Sequence, residues 1–175
     1  MFASSSDGLA GVDSLALRMP PLDVAIRDAR RDDADEIAPL LGALGYPTTP
    51  AQFQRRFERL EREPATWIYV AEADGRLVGL TGLRVLTLVE RDEPIGRLIA
   101  LVVEQEVRGM GVGRALVEHV EERARAAGCV ALDLSSSDRR DDAHAFYRRL
   151  GFADVSRRFV KDLTPGAPAL RRGRR

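Results

Sequence analysis

Three alternate glycines separate an apolar segment of the chain from an amphipathic one: Gly109, Gly111 and Gly113. The apolar segment ends at 101–103, and the amphipathic segment, at 111–127, has the spacing of a helix. The first turn of a helix carries unpaired N–H groups and a partial positive charge, which together suit a phosphate. Glycines let the backbone approach that phosphate closely, and Arg108 and Arg114 add charge-assisted donors. The pattern therefore predicts a phosphate-binding loop before a helix.

Two other kinds of phosphate-binding loop can be compared by their spacing. A nucleoside-triphosphate loop ends in Gly-Lys-Ser/Thr, whereas the last glycine here is followed by Arg114 and Ala115, without a hydroxyl for magnesium. A dinucleotide loop has the spacing G-x-G-x-x-G, which is one residue longer. Asp133 lies about twenty residues further on, but in the middle of its predicted strand, where it is badly placed for a ribose. A connector without a ligand would leave the stability cost of three glycines unexplained.

The elements around the loop follow from the apolar pattern and from capping residues. Alternating apolar residues predict six strands, at 24–27, 67–73, 76–88, 95–103, 130–134 and 152–163. Helical spacing predicts four helices, from 32 or 33 to 44, from 50 to 60, from 111 to 127, and from 138 or 139 to 150. The order is strand, two helices, three strands, helix, strand, helix, strand. It predicts one α/β (α+β) domain with a central mixed, mostly antiparallel sheet flanked by helices.

The two ends of the chain have the composition of flexible segments. Residues 1–22 are rich in serine, glycine and alanine, and they lack the basic start and apolar block of a secretion signal. Met19 is a candidate start of the protein. Residues 164–175 combine proline and glycine with a run of arginines, which predicts a disordered basic tail. The folded domain is expected at 23–163.

The composition excludes several classes of protein. Basic and acidic residues number 27 each, so the chain lacks the basic excess of a general nucleic-acid binder. No apolar run is long enough for a membrane-spanning helix. Cys129 is the only cysteine and fits a reducing cytoplasm, while His119 lies on an apolar helix face; both are expected to pack rather than react. We therefore expect a cytoplasmic protein without a metal, nucleic-acid or membrane partner.

A second motif identifies the phosphate-binding loop more closely. Residues 143–152 read Ala-His-Ala-Phe-Tyr-Arg-Arg-Leu-Gly-Phe and end a predicted helix. This segment resembles the late A-x-x-F/L-Y-x-x-x-G-F pattern of the GNAT superfamily of N-acetyltransferases. The segment Arg108-x-x-Gly111-x-Gly113 resembles the R/Q-x-x-G-x-G/A signature of the same superfamily. Both motifs stand at the expected places in the element order, and the resemblance extends over about 24–163.

The resemblance implies acetyl-coenzyme A (acetyl-CoA) as the cosubstrate. In this superfamily the strand before the loop parts from its neighbour, and the pantetheine arm lies in the gap. By that analogy Leu101, Val102 and Val103 line the pantetheine, and the first and third of them offer main-chain groups to it. The pyrophosphate is expected at the loop residues Arg108, Gly109, Met110, Gly111, Val112, Gly113 and Arg114.

The resemblance also implies a general acid in the late helix. Tyr147 matches the family tyrosine whose hydroxyl protonates the departing thiolate of coenzyme A. The alternative is that Tyr147 only packs, as half of an aromatic pair with Phe146. His144 lies one turn earlier on the same helix face, where it either contacts cofactor or substrate, or packs beside the last strand.

The general base is not identified by the sequence. In many members of the superfamily a glutamate stands just before the residues that line the pantetheine, and here Ala100 stands there. Glu90, Asp92 and Glu93 on the preceding loop are candidates for a base or for substrate contacts, and a solvated loop is the alternative. The amine could also arrive neutral, or water could relay its proton.

The acceptor is the least determined part of the reaction. Residues 140–152 and 157–163 are similar to bacterial aminoalkylphosphonate N-acetyltransferases, which implies direct attack by a primary amine of a small molecule in a ternary complex. Arg84, Arg91 and Arg97 offer docking charges for an anionic substrate. Acetylation of protein lysines or N-termini is a second hypothesis, and a catalytically silent acyl-CoA-binding domain is a third. The resemblance also implies a homodimer.

Overall fold

Five strands of the described residues form one sheet, in the order β1-β2-β3-β4-β5. The strands β1 to β4 pair antiparallel in succession, and β5 pairs parallel to β4. They cover Ala25–Asp28, Thr66–Ala73, Arg76–Leu86, Ile95–Val103 and Leu132–Asp133. The prediction of a mixed, mostly antiparallel sheet is confirmed.

The computed structural model of the protein describes residues 21–137, 140–155, 160, 161 and 163. Its helices α1 to α4 cover Ala34–Ala43, Pro50–Leu60, Val112–Ala126 and Asp141–Arg149. Short 3₁₀ turns precede α1 and the glycine loop, at Arg31–Asp33 and Gln105–Val107. The order of the elements is the predicted one as far as α4. The predicted strand at 152–163 includes residues outside the described part, and residues 1–20 and the predicted tail at 164–175 lie outside it.

The helices α1 and α2 cover one face of the sheet. Thr49 starts α2 with a capping box: its hydroxyl accepts from the N–H of Gln52, whose side chain accepts from the N–H of Thr49. Phe53 and Phe57, one turn apart, are buried with their ring centroids 5.4 Å from each other. They pack in one cluster with residues of α1 and of the sheet: Ile37, Leu40, Val70, Leu80 and Val102.

The helix α3 covers the opposite face of the sheet. Its inward side chains are fully buried at helical spacing, at Val112, Leu116, Val117 and Val120. They pack against sheet residues of that face, which include Tyr69, Leu83 and Leu98. Gly128 follows the helix with φ of +78°, a left-handed conformation that glycine adopts without strain, as predicted for the end of this helix. The partly buried Phe146 of α4 and Leu150, which directly follows that helix, pack on the same side.

Candidate active site

A β-bulge interrupts the pairing of β4 with β3. Leu80 stands opposite Val102, and Gly82 stands opposite Ile99, so two residues of β4 face one residue of β3. Ala100 lies in this bulge with φ of +52°. Left-handed backbone is sparsely populated by residues that carry a Cβ, so the surrounding pairing must hold Ala100 in place. The side chain of Ala100 is exposed, although it lies in the middle of a central strand.

The bulge changes which side chains share a face of β4. Successive residues of a regular strand alternate between faces, so Leu98 and Leu101 would point to opposite sides. With the extra residue between them, both pack on the α3 side. Val102 packs on the side of α1 and α2, and Val103 returns to the α3 side. The bulge therefore directs two apolar side chains, those of Leu101 and Val103, toward α3 and the glycine loop.

The strands β4 and β5 pair over only two residues and then part. Gly96 pairs with Leu132 and Arg97 with Asp133, and no later residue of β4 pairs with β5 in the described chain. At this last rung Arg97 binds Asp133 through two hydrogen bonds, of 2.8 and 2.6 Å. Among the described residues, 99–103 thus have one backbone edge that no strand pairs with. Asp133, weighed above as a ribose ligand, is instead the partner of Arg97.

The alternation of backbone groups along β4 indicates which N–H and C=O groups point toward this unpaired edge. The N–H of Glu104 donates to the carbonyl of Val78 on β3. The N–H and C=O of Val103 and the C=O of Leu101, which lies opposite the N–H of Val102 in one trans peptide unit, therefore point away from β3 into the gap. The Nε of Arg108 donates to the Val103 carbonyl at 3.2 Å, which agrees with this direction. These are the main-chain groups that the resemblance assigned to pantetheine.

The glycine loop presents unpaired backbone donors at the start of α3. Gly109 and Gly111 have φ of +82° and +89°. The N–H groups of Arg108 and Met110 are used within the loop, because each donates at 3.3 Å to a carbonyl of the preceding 3₁₀ turn. Within the described chain no partner is recorded for the other N–H groups of the loop, those of Gly109, Gly111, Val112, Gly113 and Arg114. An anion at this point would meet several of them at once.

The helix α4 lies against the start of α3 and the end of β4. A Cβ on Gly113 would stand 3.3 Å from Cζ of Phe146 and 3.6 Å from a methyl carbon of Val103. Because glycine has no side chain, the ring of Phe146 can lie directly against α3 at this position. Between the glycine loop and α4 is a depression of about 390 Å³. It is lined by charged and small residues: Arg108, Arg140, Asp141, Asp142 and Ala143.

Tyr147 combines aromatic packing with a free hydroxyl. Its ring contacts those of Phe146 and Phe152 edge to face, with centroids 5.3 and 5.7 Å away. Burial raises the pKa of the Tyr147 hydroxyl, and the positive charge of Arg140 opposes that rise only in part. No hydrogen bond of this hydroxyl is recorded in the part of the chain that the structure describes. A phenol held protonated and unpartnered is chemically suited to give a proton to a thiolate. His144, on the same helix, is partly buried.

Sequence reasoning missed the contributions of Arg140 and Phe146 to this region. Arg140 precedes α4 directly and lines the depression together with Arg108. Its position before two acidic residues at a predicted helix start was the signal that could have suggested this role. The fit of Phe146 against Gly113 depends on how α4 packs on α3, which no local pattern specifies.

Two of the three arginines considered for substrate docking already have carboxylate partners. Arg84 lies 3.4 Å from Glu63, and Arg97 is held by Asp133. Their predicted role is thereby weakened, because a paired guanidinium offers less charge to a ligand. Arg91 is exposed in the loop before β4, and no ion pair is recorded for it among the described residues. The acidic candidates of that loop, Glu90, Asp92 and Glu93, are exposed as well.

The remaining candidates pack as expected. His119 lies edge-on to Tyr69 with ring centroids 4.6 Å apart, and burial lowers its pKa. Cys129 is partly buried, and burial raises the pKa of its thiol. No group of three or more His, Cys, Asp or Glu side chains in the described residues is arranged to hold a metal ion. Across the helices of the described chain, none has the length and apolar character needed to cross a membrane.

A mixed sheet whose central strand parts from its neighbour beside a glycine loop is the architecture expected of an acetyl-CoA-dependent acyltransferase. The chain belongs to the GNAT family of acetyltransferases, whose sequence model matches residues 28–152. It is thus an acetyltransferase, and the members of this family use acetyl-CoA as the acetyl donor.

Three relatives illustrate the range of the family. The chain is 32% identical over 139 residues to an aminoalkylphosphonate N-acetyltransferase of Salmonella typhimurium, with 79% of this chain and 90% of that protein covered. It is 35% identical over 88 residues to a peptidyl-lysine N-acetyltransferase of Escherichia coli, covering 46% and 56%. The fold matches a crystal structure of a Trypanosoma brucei acetyltransferase with a TM-score of 0.69 and 27% identity, covering 81% and 100%.

Proposed function

We propose that the protein transfers the acetyl group of acetyl-CoA to a primary amine of a small molecule, by direct attack in a ternary complex. The observation that carries this proposal is that two stretches of backbone with unpaired hydrogen-bonding groups lie next to each other. The free edge of β4 after Arg97 leads directly to the free N–H groups at the start of α3. A thioester with an amide-containing arm and a pyrophosphate matches both sets, since amides bind a strand edge and phosphates bind a helix start.

The residues that would hold acetyl-CoA follow from this geometry. Leu101 and Val103 offer backbone groups to the pantetheine amides, and Val102 anchors the strand from the opposite face. The free N–H groups of Gly109 and 111–114 would bind the pyrophosphate. Arg108 must release the Val103 carbonyl for the pantetheine to use it, and its guanidinium is then available to a phosphate. His144 lies on the neighbouring helix and is proposed as a further contact to the cofactor.

The chemical step is proposed to depend on positioning and on one acid. The amine nitrogen attacks the acetyl carbonyl, a C–N bond forms, and the C–S bond to coenzyme A breaks. Tyr147 gives its proton to the departing sulfur, and its raised pKa keeps that proton in place until the thiolate develops. Ala100 offers no carboxylate in the bulge, so an ammonium must first lose a proton to water, or the amine must arrive neutral. After the C–N bond has formed, the nitrogen releases a further proton, which returns through water to the Tyr147 oxygen.

A small-molecule acceptor is supported by the extent of the relationships. The aminoalkylphosphonate N-acetyltransferase matches over 90% of its own length, whereas the peptidyl-lysine enzyme matches over 56%. Substrate selection in a shared fold depends on individual side chains and loops, so this preference is for a class and not for one compound. Arg91 is the docking charge considered above for which no carboxylate partner is recorded within the described residues.

The test is a panel of amines with two readouts. Thiol release and mass spectrometry of the acetylated product would be followed with acetyl-CoA and aminophosphonates, aminoglycosides, polyamines, amino acids and lysine peptides. We expect acetylation of at least one small amine at a rate well above that of the peptides. Faster acetylation of peptides would identify a protein acetyltransferase, and binding without turnover would identify a silent acyl-CoA-binding domain. Absence of acetyl-CoA binding by calorimetry would contradict all three functions.

Two further expectations concern the oligomeric state of the enzyme and its location in the cell. A homodimer and a cytoplasmic location are proposed on the resemblance to the family and on the use of a single cysteine. Light scattering of the purified full chain would give the mass of either one or two copies of 19.3 kDa. Fractionation of the source cells would test the location.

A further inference from the structure

The segment before β1 runs across the glycine loop. The N–H of Leu22 donates to the carbonyl of Met110 at 2.9 Å. The Cβ of Pro21 lies 3.8 Å from the position that a Cβ would take on Gly111. Leu22 and Val24 also pack in the apolar cluster at the start of α3. The sequence had assigned residues up to 22 to a flexible extension, and this contact places Leu22 with the folded domain.

From these contacts we propose that Leu22 is a positioning residue for the phosphate-binding loop, an inference that rests on the proposed use of acetyl-CoA. Within the described chain, the hydrogen bond from Leu22 is the one backbone hydrogen bond that joins residues 105–111 to a part of the chain outside 104–115. The bonds that Arg108 and Met110 donate inside the loop are longer, at 3.3 Å each. The contact with Leu22 is therefore the shortest backbone restraint on this part of the loop.

The direction of one phosphate donor follows from this bond. The carbonyl of Met110 and the N–H of Gly111 belong to the same peptide unit, and the described chain contains no cis peptide bond. In a trans peptide these two groups point in opposite directions. When Leu22 binds the carbonyl, the N–H of Gly111 is turned away from the N-terminal segment and is left unpaired for an anion.

Without that bond the peptide unit could rotate. Gly111 has φ of +89°, and glycine occupies positive and negative φ about equally well, so it does not resist a flip of the peptide before it. A flipped unit would present the carbonyl oxygen of Met110 where the N–H had been. That oxygen would repel a phosphate, so the contact with Leu22 favours the anion-binding arrangement of the loop.

The test removes the N–H of residue 22 and compares two ligands. Leu22→Pro deletes the donor, and replacement of Leu22 by its α-hydroxy analogue in the full chain deletes it with the side chain intact. Leu22→Ala is the matched control, because it keeps the N–H and shortens the side chain. Binding would be measured for acetyl-CoA and for S-acetylpantetheine, which has the same thioester arm without the phosphates.

We expect both donor deletions to weaken acetyl-CoA binding about tenfold, because the flipped loop loses the hydrogen bond from the Gly111 N–H to a phosphate, and one bond to a charged group is worth about this factor. Binding of S-acetylpantetheine should stay unchanged, and Leu22→Ala should affect the two ligands equally. Unchanged acetyl-CoA binding in the α-hydroxy variant, or equal weakening for both ligands, would overturn the proposal. Failure of the unmodified protein to bind acetyl-CoA would instead refute the proposed function itself.

Discussion

Tyr147 is the residue for which the sequence left two roles open, aromatic packing and the proposed donation of a proton. Its ring packs between Phe146 and Phe152, while its hydroxyl has no recorded hydrogen-bond partner in the described chain. Burial raises the pKa of the hydroxyl, which keeps it protonated in the neutral range. Packing fixes where the ring lies, and the free hydroxyl is the part available for chemistry.

The substitution Tyr147→Phe should lower kcat about a hundredfold, because it removes the proposed acid and retains the aromatic ring. The dissociation constant for acetyl-CoA and the thermal stability should stay as they are, since no hydrogen bond of the hydroxyl is recorded within the described residues. Steady-state kinetics, calorimetry and thermal unfolding measure the three quantities. Unchanged turnover would show that the tyrosine only packs.

Ala100 determines how the rate should depend on pH. With no carboxylate in the bulge, kcat/KM should rise about tenfold per pH unit below the pKa of the acceptor amine, which is about 10 for a simple alkylamine. The change Ala100→Glu adds a base at this exposed site and should raise kcat/KM about tenfold at pH 7. Ala100→Gln is the control of equal size. Equal rates for the Glu and Gln variants would show that a base here has no effect.

At the scale of the elements, the distortions of β4 create the candidate site. The bulge at Ala100 turns Leu101 and Val103 toward α3, and the loss of pairing after Arg97 leaves a backbone edge free. The ion pair of Arg97 with Asp133 stands at the last paired rung. A regular strand paired along its whole length would have used these backbone groups internally.

Glycine at position 82 is required by the close approach of β3 to its neighbours. A Cβ there would lie 2.8 Å from Cγ1 of Ile99 and 3.1 Å from the carbonyl oxygen of Trp67. Because the oxygen belongs to the backbone it cannot move aside, and Gly82→Ala should lower the free energy of unfolding by about 2 kcal/mol. Gly42 in α1 has no atom within 4 Å of the corresponding position.

The same substitution at Gly42 is therefore the control for Gly82→Ala. Gly42→Ala should raise the free energy of unfolding by about 0.5–1 kcal/mol, because alanine favours a helix more than glycine does. Urea denaturation of the two variants measures both effects. If both substitutions changed the free energy of unfolding in the same direction, crowding at Gly82 would not be the cause of the effect of Gly82→Ala.

At the scale of the whole molecule, distant segments meet around one loop. The segment before β1 binds Met110, the end of β4 is contacted by Arg108, and α4 packs on Gly113 through Phe146. Three parts of the chain far apart in sequence therefore restrain residues that are rich in glycine and cost entropy to order. The stability of the fold and the shape of the loop are linked for this reason.

The stability of the protein should fall as the pH drops below about 6.5. Burial lowers the pKa of His119, and the charge of Arg123 adds to that shift. A lowered pKa means that the unfolded state binds a proton more readily than the folded state, so stability is full above the unfolded pKa and is lost below it. His119→Phe keeps a ring against Tyr69 and removes the titration.

Urea denaturation at pH 7.5 and 5.5 measures this effect. The loss of stability between the two pH values should be smaller in His119→Phe than in the unmodified protein. The carboxylate of Asp33 does not interfere: burial alone would raise its pKa, but its bonds to Arg27 and to the N–H of Arg30 lower it, so its contribution is lost only under more acidic conditions. An equal loss in both proteins would assign the dependence to other groups.

The sequence by itself determined the order of the elements as far as α4, the sheet class and the glycine loop. These depend on local signals: apolar periodicity, Thr49 followed by Pro50 at the start of α2, and glycines that permit positive φ. The resemblance of two short motifs was enough to indicate the family, because those motifs act through backbone shape and spacing.

Only the tertiary structure decided which groups are free and which are used. The bulge at Ala100 depends on pairing with β3, and the partners of Arg84 and Arg97 come from other elements. The bond from Leu22 to Met110 joins two segments that no local pattern connects. Hydrogen bonds and ion pairs between distant residues depend on how the elements pack, so a sequence pattern can name the glycine loop but not what holds it in place.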